Sequence, residues 1–226
     1  MSKTRFVIML ENYEKNKDKI EKGPYVRQMD LAITCHQLIL LESEEMCTCR
    51  VTWDLLELWD LSPEELFKVA GNDSREWLPP TIEPMEDVII GFMAEDILNS
   101  RDLELEEALE EAENEYLSLF GVPKERIPEI YVVTNSLRIQ GAAVIFYSDI
   151  LKQFAEKKEC DLILLPSSIH EWLIIPEDCS ISMEDMKSMV YDANRLVVHE
   201  EEVLSDGVYR YSRKNDKIEF VGKIEG

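Results

Sequence analysis

Glycine is scarce in this chain, with 8 residues in 226. None builds a glycine-rich loop between a strand and a helix, which excludes the backbone cradle that holds nucleotide phosphates; Gln140-Gly141-Ala142-Ala143 reads as a turn. The nucleophile elbow, in which glycines flank an exposed serine, is missing for the same reason. No stretch approaches the ~18 uninterrupted apolar residues of a membrane span. Basic residues are also few, 24 against 47 acidic ones, for a net charge of −23. A field of this sign repels nucleic acid and anionic membrane surfaces and attracts a basic partner. The plain alternative is that the acidity only keeps the protein soluble. Cysteines Cys35, Cys47, Cys49, Cys160 and Cys179 make an odd set. The apolar run in Met1 to Leu10 is short and is interrupted by Glu11, without the core of a secretory leader, so a reduced, cytoplasmic protein is expected.

What is present is ordinary globular material, 45% hydrophobic and 31% charged, long enough for one sizeable core. Lys3 to Lys22 predicts a helix, with Phe6, Val7, Leu10 and Tyr13 on one side and Gly23-Pro24 as the stop. Met29 to Val51 alternates as a hairpin around Glu42-Ser43-Glu44-Glu45. Trp53, Leu56 and Trp59 fit one face of a short helical turn. Ser62, Pro63 and Glu65 form a capping box, with Leu61 and Leu66 as its staple, so a helix starts at Ser62. Pro79-Pro80 breaks the chain before a helix over Met85 to Leu98. Leu103 to Phe120 predicts an acidic helix with an apolar stripe, ended by Gly121 and Pro123. Ile130 to Thr134 and Ala142 to Tyr147 read as strands, Ser148 caps a helix through Lys158, and Leu162 to Leu165 pairs antiparallel with Trp172 to Ile175. Ser182 opens a further helix with Ile181 stapled to Met186, and a hairpin around Lys214-Asn215-Asp216 closes the chain. Trp53, Trp59 and Trp77 read as core aromatics.

Four residue sets carry candidate chemistry. Ser167, Ser168, His170 and Glu171 bring a hydroxyl, an imidazole and a carboxylate together; Ser168 and His170 share a strand face, whereas His170 and Glu171 point apart. The alternative is a turn whose serines bond their own backbone. His170-Glu171 lacks the second histidine of a helical zinc motif, and His199 stands alone before Glu200, Glu201 and Glu202. Cys47 and Cys49 share a strand face but would need Cys35 or His36 to complete a zinc site, so buried cysteines acting as small hydrophobes are expected and no metal or cofactor is assigned. The fourth set is the acidic face: Glu104, Glu106, Glu107, Glu110, Glu111, Glu113 and Glu115, with Glu83, Glu86, Asp87, Glu95 and Asp96 nearby. Apart from Arg101 it contains almost no basic residue, and like charges four apart on a helix each cost about 0.2–0.5 kcal/mol. The alternative is a solvated helix face.

The segments VTWDLLELWDLSPEELFKVAGND (Val51 to Asp73), PPTIEPMEDVI (Pro79 to Ile89), IYVVTNSLRIQGAAVIFY (Ile130 to Tyr147), LILLPSSIHEWLIIP (Leu162 to Pro176) and EEEVLSDGVYRYSR (Glu200 to Arg213) resemble an uncharacterised bacterial domain family common in gut anaerobes of the clostridial type. The resemblance covers most of the chain and implies an α+β fold and a mobile-element or host-defence setting. It brings no reaction, ligand or catalytic residue. Relatives carry an extra segment ahead of the part matching Lys3 to Asp30, so the chain reads as a version without it.

The reading is an α+β protein with antiparallel sheets and flanking helices in two lobes, residues 1–120 and 121–226. Its expected function is a non-enzymatic acidic interaction module, an inhibitor occupying the basic surface of a nuclease or nucleic-acid-binding regulator because carboxylates can stand in for phosphates. The alternative is a small hydrolase using Ser168 and His170.

Overall fold

The computed structural model describes residues 4–42, 45–121, 129–177 and 181–224. Ser43, Glu44, Pro123 and Cys179, and the ends of the chain, lie outside them. The fold is α+β, with two antiparallel sheets.

The first sheet begins where a helix was expected. Arg5–Asn12 is strand β1, and only Tyr13–Ile20 is helical, as α1. The run Phe6 to Leu10 is buried at every position. A strand with both faces covered carries a continuous apolar run, and that run is indistinguishable from a buried helix turn by periodicity. β1 pairs with β3 (Leu31–Leu41), which also takes β2 (Tyr25–Gln28) and β4 (Met46–Arg50) on its other side. The expected hairpin is therefore β3–β4. β1 lies at the sheet edge, where side chains cap two of its backbone donors: Phe6 N–H donates to Asp73 Oδ2 and Ile8 N–H to Ser74 Oγ. Covering an edge in this way removes a template for pairing with other chains.

Asp73 and Ser74 belong to α3 (Pro63–Trp77), which starts at the expected capping box: Ser62 Oγ accepts from Glu65 N–H while the Glu65 carboxylate accepts from Ser62 N–H. The short α2 (Trp53–Leu58) precedes it. Trp59 packs edge-on against Phe6 and Trp77 lies under Arg5, each partly buried against a core cluster. Trp53 departs from the expectation of a core aromatic; it is 47% exposed and donates Nε1–H to Glu21 O.

The second sheet runs β10-β9-β7-β8-β6-β5, with β5 Pro80–Pro84, β6 Tyr131–Asn135, β7 Leu162–Pro166, β8 Trp172–Pro176, β9 Gly207–Ser212 and β10 Lys217–Lys223. β7–β8 and β9–β10 are the expected antiparallel pairs. β5 was not anticipated, since two prolines bound it; an edge position tolerates them because only one side must donate hydrogen bonds. Gly141–Phe146 is a 3-10 turn, not a strand. A Cβ on Gly141 would fall 2.1 Å from Thr134 Oγ1 and 2.5 Å from His170 O, so the chain enters this segment against two other elements and has no room to extend as a strand. The helix after it, α6 (Ile150–Lys158), starts from Asp149 in the left-handed region with no side-chain cap; Ser148 Oγ accepts from Arg75 instead.

One face of each sheet lines the largest core. Phe6, Ile8, Leu10, Ile33 and Cys35 from the first meet Val133, Leu164, Trp172, Ile174 and Tyr209 from the second, with Leu66 of α3 and Leu151 and Phe154 of α6 among them. A hydrogen-bonded knot spans the same junction: Asp30 accepts from both Ser205 Oγ and Tyr209 Oη. The other face of the second sheet is covered by α7 (Met183–Leu196) through Met186 and Val190. β5, drawn from residues before 120, is paired into the second sheet. Beside it α4 (Met85–Ser100) and α5 (Leu105–Phe120) form a helical hairpin with a small core of its own, Ile90, Ala94, Ile97, Ala108, Ala112 and Tyr116.

Candidate functional site

The outer face of the first sheet alternates between apolar and polar ground. At one end Tyr13 and Ile20 of α1 cover Ala32; at the other Val7, Met9, Leu38 and Leu78 pack together. Between them lies a polar window, Glu11 on β1, Thr34 and His36 on β3, Thr48 and Arg50 on β4. Strand parity puts these side chains on one face, and the β1–β3–β4 pairing brings them side by side. The window is the floor of a cleft of about 830 Å³, walled by α1 and by segments around Gln140, Ile169 and Glu200.

Arg50 Nη2 donates to both Glu11 oxygens, at 2.8 and 2.7 Å. Thr34 Oγ1 donates to Glu11 Oε1 at 2.7 Å. With that proton spent, Thr34 Oγ1 is left to accept from His36 Nε2, 3.3 Å away, and Thr48 Oγ1 lies 3.3 Å from Nδ1. Burial works to raise the Glu11 carboxyl, but hydrogen bonds from His36, Arg50 and Thr34 and the Arg50 charge outweigh it and bring the pKa down to about 2. A carboxylate so firmly ionised is a poor general base near neutrality. Glu11 with Arg50 and Thr34 holds a charge in fixed geometry.

The Ser167-to-Glu171 segment forms the β7–β8 turn, and its side chains are used as a latch. Ser168 Oγ accepts from His170 N–H at 3.0 Å. The His170 ring turns elsewhere, Nδ1 accepting from Gln140 N–H at 3.1 Å and Nε2 lying 3.5 Å from Glu202 Oε1. Glu171 accepts from Ser167 Oγ. Thr134 Oγ1 donates to His170 O and Trp172 Nε1 to Ala142 O. Ser168 and His170 are therefore neighbours through the backbone, while a serine nucleophile needs its hydroxyl on the imidazole. Ser168 thus bonds the backbone of its own turn, whereas Ser167 bonds the Glu171 side chain.

Among the described residues no group of three or more histidine, cysteine or acidic side chains converges as a metal site. Cys35 is buried, and burial pushes its thiol up to about 12. Cys47 and Cys49 are exposed, because β4 projects past the core, which corrects the expectation of buried thiols for these two.

The acidic residues sit on α5, with Glu104 at its N-cap. Glu104, Glu106, Glu107, Glu110, Glu113 and Glu115 are exposed and Glu111 is half-buried. Arg101 pairs with Glu111, so the helix is not wholly without local compensation. Leu105, Leu109, Leu117 and Phe120 are exposed beside these carboxylates, at 60, 37, 54 and 50%.

Glu11 and Arg50 went unnoticed as site residues in the sequence. The signal was parity: once Phe6 to Leu10 is a strand, Glu11 falls on the face opposite the core, as do Thr48 and Arg50 at alternate positions of β4.

No curated protein and no solved structure matches the chain. Among the described residues no helix is long and apolar enough to cross a membrane. A family model described as a family of unknown function, DUF5688, matches residues 1–213, and the chain belongs to that family.

Proposed function

We propose that this protein is a non-enzymatic interaction module whose α4–α5 hairpin docks on a basic protein partner, and that the partner's basic surface is one that otherwise handles nucleic acid. The observation that carries the reading is the composition of α5. Its glutamates face solvent, and among the described residues only Glu111 of them has an ion-pair partner. Pairs such as Glu106–Glu110 and Glu107–Glu111 each cost the free helix about 0.2–0.5 kcal/mol. Lysines or arginines of a partner would relieve that repulsion, and Leu105, Leu109, Leu117 and Phe120 supply apolar contact between the charges. The hairpin's separate core lets it present this surface without drawing on the main core.

The test compares wild type with the Glu106→Lys, Glu107→Lys, Glu110→Lys, Glu111→Lys variant in affinity capture at low and high salt. A specific basic protein retained by wild type at low salt, lost at high salt and with the variant, and hindered in its own nucleic-acid binding by wild type, is the expected result. Retention indifferent to the charge reversal, or a captured protein whose nucleic-acid binding is unaffected, refutes it.

A further inference from the structure

The cleft over Glu11, His36 and Arg50 is lined by cationic side chains that the fold leaves partly unpaired. Arg50 spends Nη2 on Glu11, and its Nη1 is buried with no hydrogen-bond partner among the described residues. A buried guanidinium nitrogen left unpaired is costly and calls for an acceptor. Lys15 and Lys19, one turn apart on α1, line the same cleft, and among the described residues neither is ion-paired. Glu200 and Glu201 line another part of the wall, with Ile139, Ile169 and Val203 as its apolar ground.

We propose that this cleft binds a small phosphorylated organic molecule, its phosphate held by Lys15, Lys19 and Arg50 and its hydroxyl-bearing body by Glu200 and Glu201. A phosphate monoester matches three cationic heads better than a carboxylate does, because it carries close to two charges and three terminal oxygens. A nucleic-acid strand fits poorly, since a polyanion would meet Glu200 and Glu201 and the field of the whole chain. A small ligand feels mainly the charges that line the cleft, the lysines among them, because the Debye length is about 8 Å at physiological ionic strength. The cleft volume of about 830 Å³ is of small-molecule size. Side chains do the binding, so no glycine-rich loop is needed.

The test is calorimetric titration with inorganic phosphate, ribose, ribose 5-phosphate and adenosine 5′-monophosphate at constant ionic strength. Saturable binding of a phosphate ester, tighter than that of inorganic phosphate and absent for ribose, is expected. Lys15→Ala with Lys19→Ala, both exposed and so harmless to folding, should weaken it at least about tenfold. Glu200→Gln with Glu201→Gln should narrow the gap between ester and inorganic phosphate. The proposal is overturned if none of the phosphates binds saturably below about 10 mM, a level weaker than about −3 kcal/mol. It is equally overturned if the lysine variant binds unchanged, or if inorganic phosphate binds as well as either ester.

Discussion

Replacing Glu11 by glutamine should remove a pH-dependent part of the protein's stability. In the folded chain the Glu11 carboxyl has a pKa of about 2, against 4.5 for an ordinary glutamate. Each pH unit of such a difference is worth about 1.4 kcal/mol, so the ionised carboxylate stabilises the fold by about 3 kcal/mol. Because the folded pKa is depressed, this contribution is complete above pH 4.5 and declines as the pH falls toward 2. The side chain is only 16% exposed, so solvent screens the contacts little. Glu11→Gln carries no charge at any pH. Urea denaturation should therefore show wild type more stable than the variant by about 3 kcal/mol at pH 7, with the gap narrowing below pH 4.5 and nearly closed at pH 2. Other carboxylates titrate over the same range, but they are common to both proteins and cancel in the difference. A gap that is small at pH 7, or that does not change with pH, would show that the Arg50 and Thr34 bonds do not hold the carboxylate as described.

Two further predictions concern local packing. Brief alkylation of the native protein at pH 8 should modify the exposed Cys47 and Cys49 and spare Cys35, whose thiol is buried and raised to about 12; peptide mass spectrometry reads this directly, and early labelling of Cys35 would contradict the placement of β3. Glycine-to-alanine changes should have opposite signs at two sites. Gly141→Ala forces a Cβ to within 2.7 Å of Thr134, His170 and Asn135 atoms and should cost about 3 kcal/mol or more, whereas Gly71→Ala, inside α3 with nothing within 4 Å, should stabilise by about 0.5–1 kcal/mol. Thermal unfolding followed by circular dichroism distinguishes the two, and equal effects would refute the packing around Gly141.

Features governed by a few adjacent residues were legible from the chain alone. The capping box at Ser62 and Glu65 closes within one turn of helix, Ser182 accepts from Asp185 N–H as an N-cap should, and Gly121 ends α5 in the left-handed conformation. The β7–β8 and β9–β10 pairs followed because each is a pair of strand-length runs joined by a connection too short for a crossover. The acidity of α5 is likewise a property of its residues, whatever surrounds it.

Segments with two acceptable local readings were settled elsewhere. Phe6, Val7, Leu10 and Tyr13 fit a helical face, but the run Phe6 to Leu10 fits a doubly buried strand equally well, and pairing with Leu31–Leu41 chose the strand. Ala142 to Tyr147 has strand composition, yet the close approach of Thr134 and His170 to Gly141 imposed a 3-10 turn. The polar cleft belongs to the same class. Glu11, His36 and Arg50 are 25 and 14 residues apart along the chain, with no motif to join them, and each reads alone as a solvated polar residue. Local hydrogen bonds and charge spacing determined the helices, the hairpins and the acidic face, since their energies depend on residues a turn or two apart. The window of Glu11, His36 and Arg50 was decided by tertiary structure, because only the register of three strands sets which polar side chains are buried side by side.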